Sequence, residues 1–302
     1  MLAIIAPGQG AQTPAMLAPW IEDAQAKELL IEWSDAIGLD LVHLGVHADA
    51  DEIKDTSNAQ PLIVAAGLLS AHALGANGKF SLVAGHSVGE ITAAAIAGVL
   101  TPLDAMKLVR QRGVEMAKAA AIKPSGMAAI LGGDREVVLA GIASAGLVAA
   151  NDNGGGQIVA AGDLEALASL AIEGARVRPL AVAGAFHTSY MQSAVEPLRA
   201  LAAEMSASNP AVGVLSNKDG AVITDGREVL DRIVNQIANP VRWDLCMESL
   251  LQLGVTGVIE FPPAGTLVGL LKRATPGIET FALKSPDDLT AAKEFAIKHG
   301  GA

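Results

Sequence analysis

Gly85-His86-Ser87-Val88-Gly89 stands between the apolar run Ser81 to Ala84 and the alanine-rich segment Glu90 to Leu100. The order reads as a strand, a sharp turn and a helix, with a serine at the apex. A G-x-S-x-G turn of this kind holds the serine in a tight backbone conformation, lifts its hydroxyl clear of the sheet and aims the following helix N-terminus at it. A serine in that position is a candidate nucleophile. The alternative is a glycine-rich connection whose serine only caps the helix. The flanking strand and helix are what the nucleophilic reading requires.

Outward from the turn, strand and helix signals alternate. Leu2 to Ala6 is a short apolar run ended by Pro7-Gly8-Gln9-Gly10, a buried strand feeding a tight loop. Ser57-Asn58-Ala59-Gln60 reads as a capping box with Pro61 in the first turn, which predicts a helix running to Leu74 and stopping at Gly75. Thr101 and Pro102 give the N-cap and first position of another helix. Strands are also expected near Val212 to Leu215, Val255 to Phe261 and Glu279 to Leu283. Elements of this length in alternation imply a mostly parallel sheet covered by helices. Between Met127 and Val182 the order changes to β-α-β-β-α-β, with helices capped by Asp134 and by Asp163, the second reaching Glu173, and a last strand over Val177 to Val182. That order is the split ferredoxin-like unit and marks an insertion. The expected fold is therefore α/β: an α/β-hydrolase-like core over residues 1–122 and 187–302, with a smaller ferredoxin-like subdomain over 123–186.

Composition narrows the function classes. The 302 residues are 51% hydrophobic, ample for a large core. No apolar run reaches the roughly 18 residues that cross a bilayer, and MLAIIAPGQG lacks the basic n-region of a signal peptide, so a cytoplasmic protein without membrane association is expected. A net charge of −11 with 3% aromatics argues against a nucleic-acid surface. The single cysteine, Cys246, allows no internal disulfide, and no Cys/His metal cluster is visible.

A nucleophilic serine needs a base and an oxyanion hole. Of six histidines, His86 adjoins Ser87 on a sharp turn that should diverge the two side chains, which suits support of the elbow better than proton transfer. His187 follows Gly184-Ala185-Phe186 where the insertion returns to the core, the kind of junction at which clefts form. It is either the base or a partly buried structural imidazole. The N–H of Val88 and one from the Gly8-Gln9-Gly10 loop are the candidate oxyanion donors. In the helix after Pro102 the apolar stripe is Met106, Val109, Gly113, Met116 and Ala120, and Arg112 lies beside it. An inward arginine needs an anion: either an internal Asp or Glu, or a substrate carboxylate gripped bidentately.

Pro7-Gly8-Gln9-Gly10-Ala11-Gln12, Gly85 to Glu90, Gln111 to Met116, Ala150 to Asn153 with Gln157-Ile158-Val159, Gly184 to His187, and Gln236 to Trp243 occur in the order and spacing of malonyl-CoA:acyl carrier protein transacylases, which the whole chain resembles. The resemblance implies Ser87 as nucleophile, His187 as general base and then acid, Gln9 and Val88 as oxyanion donors, and Arg112 as ligand for the malonyl carboxylate. It further implies that the Gln236 main-chain carbonyl orients the histidine, giving a Ser-His dyad, and that Asn151 and Asn153 line the site near the arginine. Phe186 stands where some members carry serine and so bears on which acyl group fits. Phe261-Pro262-Pro263-Ala264-Gly265 replaces a commonly glycine-richer loop. The implied partners are malonyl-CoA and an acyl carrier protein, with no cofactor and a monomer expected. The carrier protein is acidic, so docking should use concentrated positive charge, for which Arg176, Arg178, Lys272 and Arg273 are candidates. The competing enzyme reading is a serine hydrolase, an esterase or thioesterase built on the same elbow.

Overall fold

The computed structural model describes residues 1–75 and 80–300. Its strands are β1 (Leu2–Ala6), β2 (Leu82–Gly85), β3 (Gly126–Gly132), β4 (Val148–Asp152), β5 (Gln157–Gly162), β6 (Ala175–Pro179), β7 (Gly213–Leu215), β8 (Val222–Ile223), β9 (Val241–Arg242), β10 (Gly257–Glu260) and β11 (Glu279–Ala282). They form two sheets, and the expected α/β class is the one observed.

The larger sheet has the order β11-β10-β1-β2-β7-β8. All neighbours pair in parallel except β7 with β8. Both faces of its central strand are buried. Leu2 and Ile4 of β1 join one hydrophobic cluster, and Ala3 and Ile5 join another on the opposite face. A parallel sheet with helices on both sides produces this division. β1 and β2 lie side by side, so the Pro7 loop and the Ser87 turn leave the sheet together at its C-terminal edge, where open α/β sheets place their ligands.

The smaller sheet has the order β6-β3-β5-β4, extended by β9. The first four strands come from residues 126–179 and run antiparallel. On one face Ala128, Ile130, Ile158 and Ala160 pack with Val138, Ile142 and Leu167 of the two intervening helices. Met127, Ala129 and Val159 point to the other face and line a cavity. The two-residue β9, from much later in the chain, pairs in parallel with Asn151–Asp152 of β4.

Two local expectations need correction. The helix expected to begin at a Ser57 capping box runs over Thr56–Leu74, with Asp55 as its cap accepting from Ser57 N–H. Pro61 therefore sits inside the helix. Without an N–H it leaves the Ser57 carbonyl free, and Arg110 Nη1 donates to that oxygen at 2.9 Å. The helix capped by Asp163 ends at Ser169 rather than Glu173, because Leu170 adopts an extended conformation and β6 starts two residues early, at Ala175.

The elbow depends on glycine for closeness as well as for freedom. A Cβ on Gly85 would lie 1.9 Å from the Gly89 carbonyl carbon, and one on Gly89 would lie 2.2 Å from the Ala6 carbonyl oxygen. These are backbone atoms, of the helix start in one case and of β1 in the other, and cannot swing aside. Gly89→Ala is expected to destabilise the fold by about 3 kcal/mol, lowering Tm by roughly 5 °C in a thermal melt. A Tm within a degree or two of the parent would contradict that close approach.

Candidate active site

Ser87 sits at φ +53° and His187 at φ +62°, the left-handed region that non-glycine residues rarely occupy. Both are held there by surrounding hydrogen bonds. Ser87 N–H donates to Asn217 Oδ1 at 2.8 Å, and Asn217 Nδ2 donates to the Gly85 carbonyl at 2.7 Å, bracing the turn on both sides of its apex. His187 N–H donates to the Ile237 carbonyl at 3.1 Å.

The two side chains meet. Ser87 Oγ–H donates to His187 Nε2 at 2.7 Å, and His187 Nδ1–H donates to the Gln236 main-chain carbonyl at 2.9 Å. The carbonyl fixes the tautomer, leaving Nε2 as the acceptor a serine proton needs. Burial, with the Arg112 charge second, lowers the His187 pKa to about 3, so the imidazole is neutral and available as a base at ordinary pH. Among the described residues, no backbone or side-chain acceptor takes the N–H of Gln9 or of Val88, the two expected oxyanion donors.

Arg112 is 1% exposed, so the inward placement expected from its helix position holds. Its hydrogen-bond partners are uncharged. Nη1 donates to Gln60 Oε1 at 2.7 Å, while Nη2 donates to Gln236 Oε1 at 3.0 Å and to Ser87 Oγ at 3.3 Å. Nε is buried with no partner among the described residues. Of the two sources of anion open to this arginine, an internal Asp or Glu is not in place: among the described residues its hydrogen-bond partners are Gln60, Gln236 and Ser87, and no carboxylate forms a salt bridge with it. The nearest buried carboxylate, Glu90, acts on it only through the field, and burial lowers the guanidinium pKa to about 10, which still leaves it charged. A buried cation with neutral partners and an idle N–H is set up to receive a carboxylate.

The cavity above this group measures about 230 Å³ and is lined by Gln9, Gln60, Ser87, Phe186 and His187 with apolar residues of the smaller sheet and of the helix Thr266–Ala274. Asn151 and Asn153 also line it, but neither bonds the guanidinium. Asn153 Oδ1 instead accepts from His86 Nε2 at 2.8 Å. His86 is thus occupied in support of the wall, edge-on to Trp243 at 5.8 Å, as its divergence from Ser87 suggested. Arg176 and Arg178 lie exposed on the edge strand β6. Arg178 pairs with Ala129 and Arg176 with Leu131, so both share the cavity-facing side of the sheet. Lys272 and Arg273 are exposed at the end of the helix Thr266–Ala274, whose Leu267 and Leu270 line the cavity. Arg273 abuts the Gly154-Gly155-Gly156 turn.

Three polar residues of the site were not singled out from the sequence. Gln60 was read as a helix cap. Asn217 lies two residues past the end of β7, the neighbour of β2, and its position at the C-terminal edge of a parallel strand was the available signal. Glu90, the last residue quoted with the elbow, is 4% exposed, accepts from Asn217 N–H at 2.6 Å and from Gln236 Nε2, and belongs to the same cluster.

This fold, with a serine elbow and a facing neutral histidine, has the equipment of an acyl-transfer enzyme, whether the acceptor is water or another nucleophile. Residues 4–283 match the family model described as acyl transferase domain. A malonyl CoA-acyl carrier protein transacylase of Mycobacterium tuberculosis is 50% identical over 96% of this chain and 98% of its own. The crystal structure of that organism's MCAT superposes with a TM-score of 0.94 at 49% identity, covering 97% of this chain and 99% of the other. A malonyl-transacylase solved in complex with its type II PKS acyl-carrier protein gives 0.89 at 30% identity, over 97% and 99%. The chain belongs to the acyl transferase family, within the malonyl CoA-acyl carrier protein transacylases.

Proposed function

We propose that this protein transfers the malonyl group of malonyl-CoA to the phosphopantetheine thiol of an acyl carrier protein through a malonyl ester on Ser87. The observation that carries the reading is the convergence on Ser87 Oγ of a neutral imidazole at 2.7 Å and a buried guanidinium at 3.3 Å. One is a base for the nucleophile, and the other is a counter-charge for an acyl group that ends in a carboxylate.

In the first half-reaction His187 Nε2 takes the Ser87 proton as Oγ attacks the thioester carbonyl. The tetrahedral oxyanion is received by the Gln9 and Val88 N–H groups. Collapse breaks the carbon–sulfur bond, and coenzyme A leaves as the thiol with the proton from His187. The carrier-protein thiol then gives its proton to His187, attacks the ester and releases Ser87. Nothing in this sequence calls for a cofactor. The Gln236 carbonyl accepts from His187 Nδ1–H throughout, so an acid in the third position of a triad is replaced by a backbone dipole. Asn151, Asn153 and Phe186 shape the acyl chamber. Residues 1–122 and 187–302 serve as the catalytic body and 123–186 as a smaller wall, in a cytoplasmic monomer.

Incubation with malonyl-CoA followed by intact-mass measurement tests the reading. One malonyl addition, mapped by peptide digestion to Ser87 and discharged by an acyl carrier protein, is expected. Rapid consumption of malonyl-CoA with water as the only acceptor would favour the hydrolase reading instead.

The docking surface has its own test. Arg176 and Arg178 share the cavity-facing side of β6, and Arg273 lies against the Gly155 turn between β4 and β5. Arg176→Glu is expected to raise the KM for an acidic carrier protein about tenfold, through lost steering and one repelled contact, while the KM for malonyl-CoA stays within twofold. The opposite split would remove this patch from the docking surface.

A further inference from the structure

Behind the elbow lies a second cavity of about 500 Å³, separate from the malonyl chamber and lined by Lys218, Arg232, Asn235, Gln236, Arg242 and Glu90. Glu90 is buried, yet it borders this cavity. Its two oxygens are both engaged. Oε1 accepts from Asn217 N–H and Oε2 from Gln236 Nε2. Each of those partners reaches the catalytic group. Asn217 Oδ1 accepts from Ser87 N–H, and Gln236 Oε1 accepts from Arg112 while its main-chain carbonyl accepts from His187. The Gln236 amide has one orientation that serves all these contacts. Its Nε2 faces Glu90, the Ser87 carbonyl and Asn217 Oδ1, and its Oε1 faces Arg112.

We propose that Glu90 is a positioning residue whose ionised carboxylate sets the Gln236 and Asn217 amides, and through them the aim of His187 and Arg112, and that the rear cavity gives it proton exchange with solvent independent of the malonyl chamber. The inference rests on the Ser87 mechanism above and adds a residue whose carboxylate touches neither substrate nor the Ser87 hydroxyl. Only the carboxylate presents acceptors to both donors. An amide side chain turns one of its two ends into a donor facing another donor, and a protonated one accepts at both oxygens only more weakly and with its O–H turned away, so the Gln236 amide is held less firmly.

The charged and titratable groups around Glu90 are Arg112 from the helix Pro102–Ile122, Arg232 from the helix Gly226–Gln236, Lys218 and Arg242 across the cavity, and the Cys246 thiol, which Asn217 also contacts. Burial, the largest influence, raises the carboxyl pKa to about 7 against the pull of Arg112 and Arg232. The pKa is raised, so the ionised form required for positioning is present above about pH 7 and is lost as pH falls through it. In the free enzyme burial holds His187 near 3, and a limb set by His187 would survive in the Glu90→Gln enzyme.

The test is the pH profile of the acylation rate at saturating malonyl-CoA, followed by intact mass. The parent enzyme is expected to show an acid limb near pH 7. Glu90→Gln is expected to lower the plateau about tenfold and to abolish the limb, with KM for malonyl-CoA changing less than the rate. Glu90→Asp, which keeps the charge, should retain a limb and recover part of the rate. A Glu90→Gln enzyme with the parental limb or the parental plateau overturns the proposal. So does a parental profile flat down to about pH 5, which decides the matter even if the variants do not fold. Failure of the parent to form a Ser87 adduct at any pH would count against the mechanism itself, a separate result.

Discussion

Ser87→Ala is expected to abolish the malonyl adduct and with it carrier-protein transfer, and His187→Ala to slow adduct formation by about 10²–10⁴-fold without shifting its site. The two losses differ in kind. Without Oγ no ester can form. Without the imidazole Oγ remains beside Arg112 Nη2, a cation that favours its ionised form, and water must carry the proton instead. The His187 effect falls on the acylation rate more than on KM, because Nε2 meets Oγ rather than the acyl chain. Burst kinetics with malonyl-CoA at neutral pH measures both. A His187→Ala enzyme acylating within a few-fold of the parent would remove the base role. Lowering the pH of the parent protonates the imidazole only near 3, so above that point histidine titration leaves the rate untouched.

The second large effect concerns selectivity. Arg112→Ala is expected to reduce the preference for malonyl-CoA over acetyl-CoA by about 10²-fold, on the scale of a hydrogen-bonded, desolvated charge pair losing one partner. An acetyl group leaves the guanidinium facing a methyl, with Nε still idle. A malonyl group gives it two oxygens. Arg112 also lowers the His187 pKa through its charge, and a bound carboxylate cancels that influence, making the imidazole a stronger base when the right acyl group is present. The loss should therefore appear in the acylation rate as well as in KM. Arg112→Lys keeps the charge but not the fork, and is expected to recover only part of the preference. Equal losses for both thioesters would remove the carboxylate role.

The elbow was legible in the sequence because it is local: glycines at 85 and 89 stand where backbone meets backbone, and no tertiary knowledge is needed to see a strand, a turn and a helix. Arg112 was legible because 3.6-residue periodicity places it beside an apolar stripe. Asn217 and Glu90 were not. Their work is done across 127 to 130 residues of chain, through bonds to Ser87 and to each other, and each alone looks like an ordinary strand-end or helix-start residue. Gln60 was misread for a related reason. A glutamine beside a serine and a proline suits a helix start, and only the packing of the Thr56–Leu74 helix against the Pro102–Ile122 helix reveals that it faces Arg112. The two-residue β9 carries no signal of its own. It becomes a strand because β4 offers it an edge.

That short strand has a mechanical consequence. Gln236 ends the helix that delivers the carbonyl for His187, and five residues later the chain is stitched into β4 beside Asn151 and Asp152. The wall bearing the support of His187 and the wall formed by the smaller sheet are thus joined by main-chain hydrogen bonds, with Arg135 tying the same corner through Asp152 at 2.8 Å. Prising the chamber apart at this corner would tear a β-ladder. That corner behaves as a welded joint between the two walls.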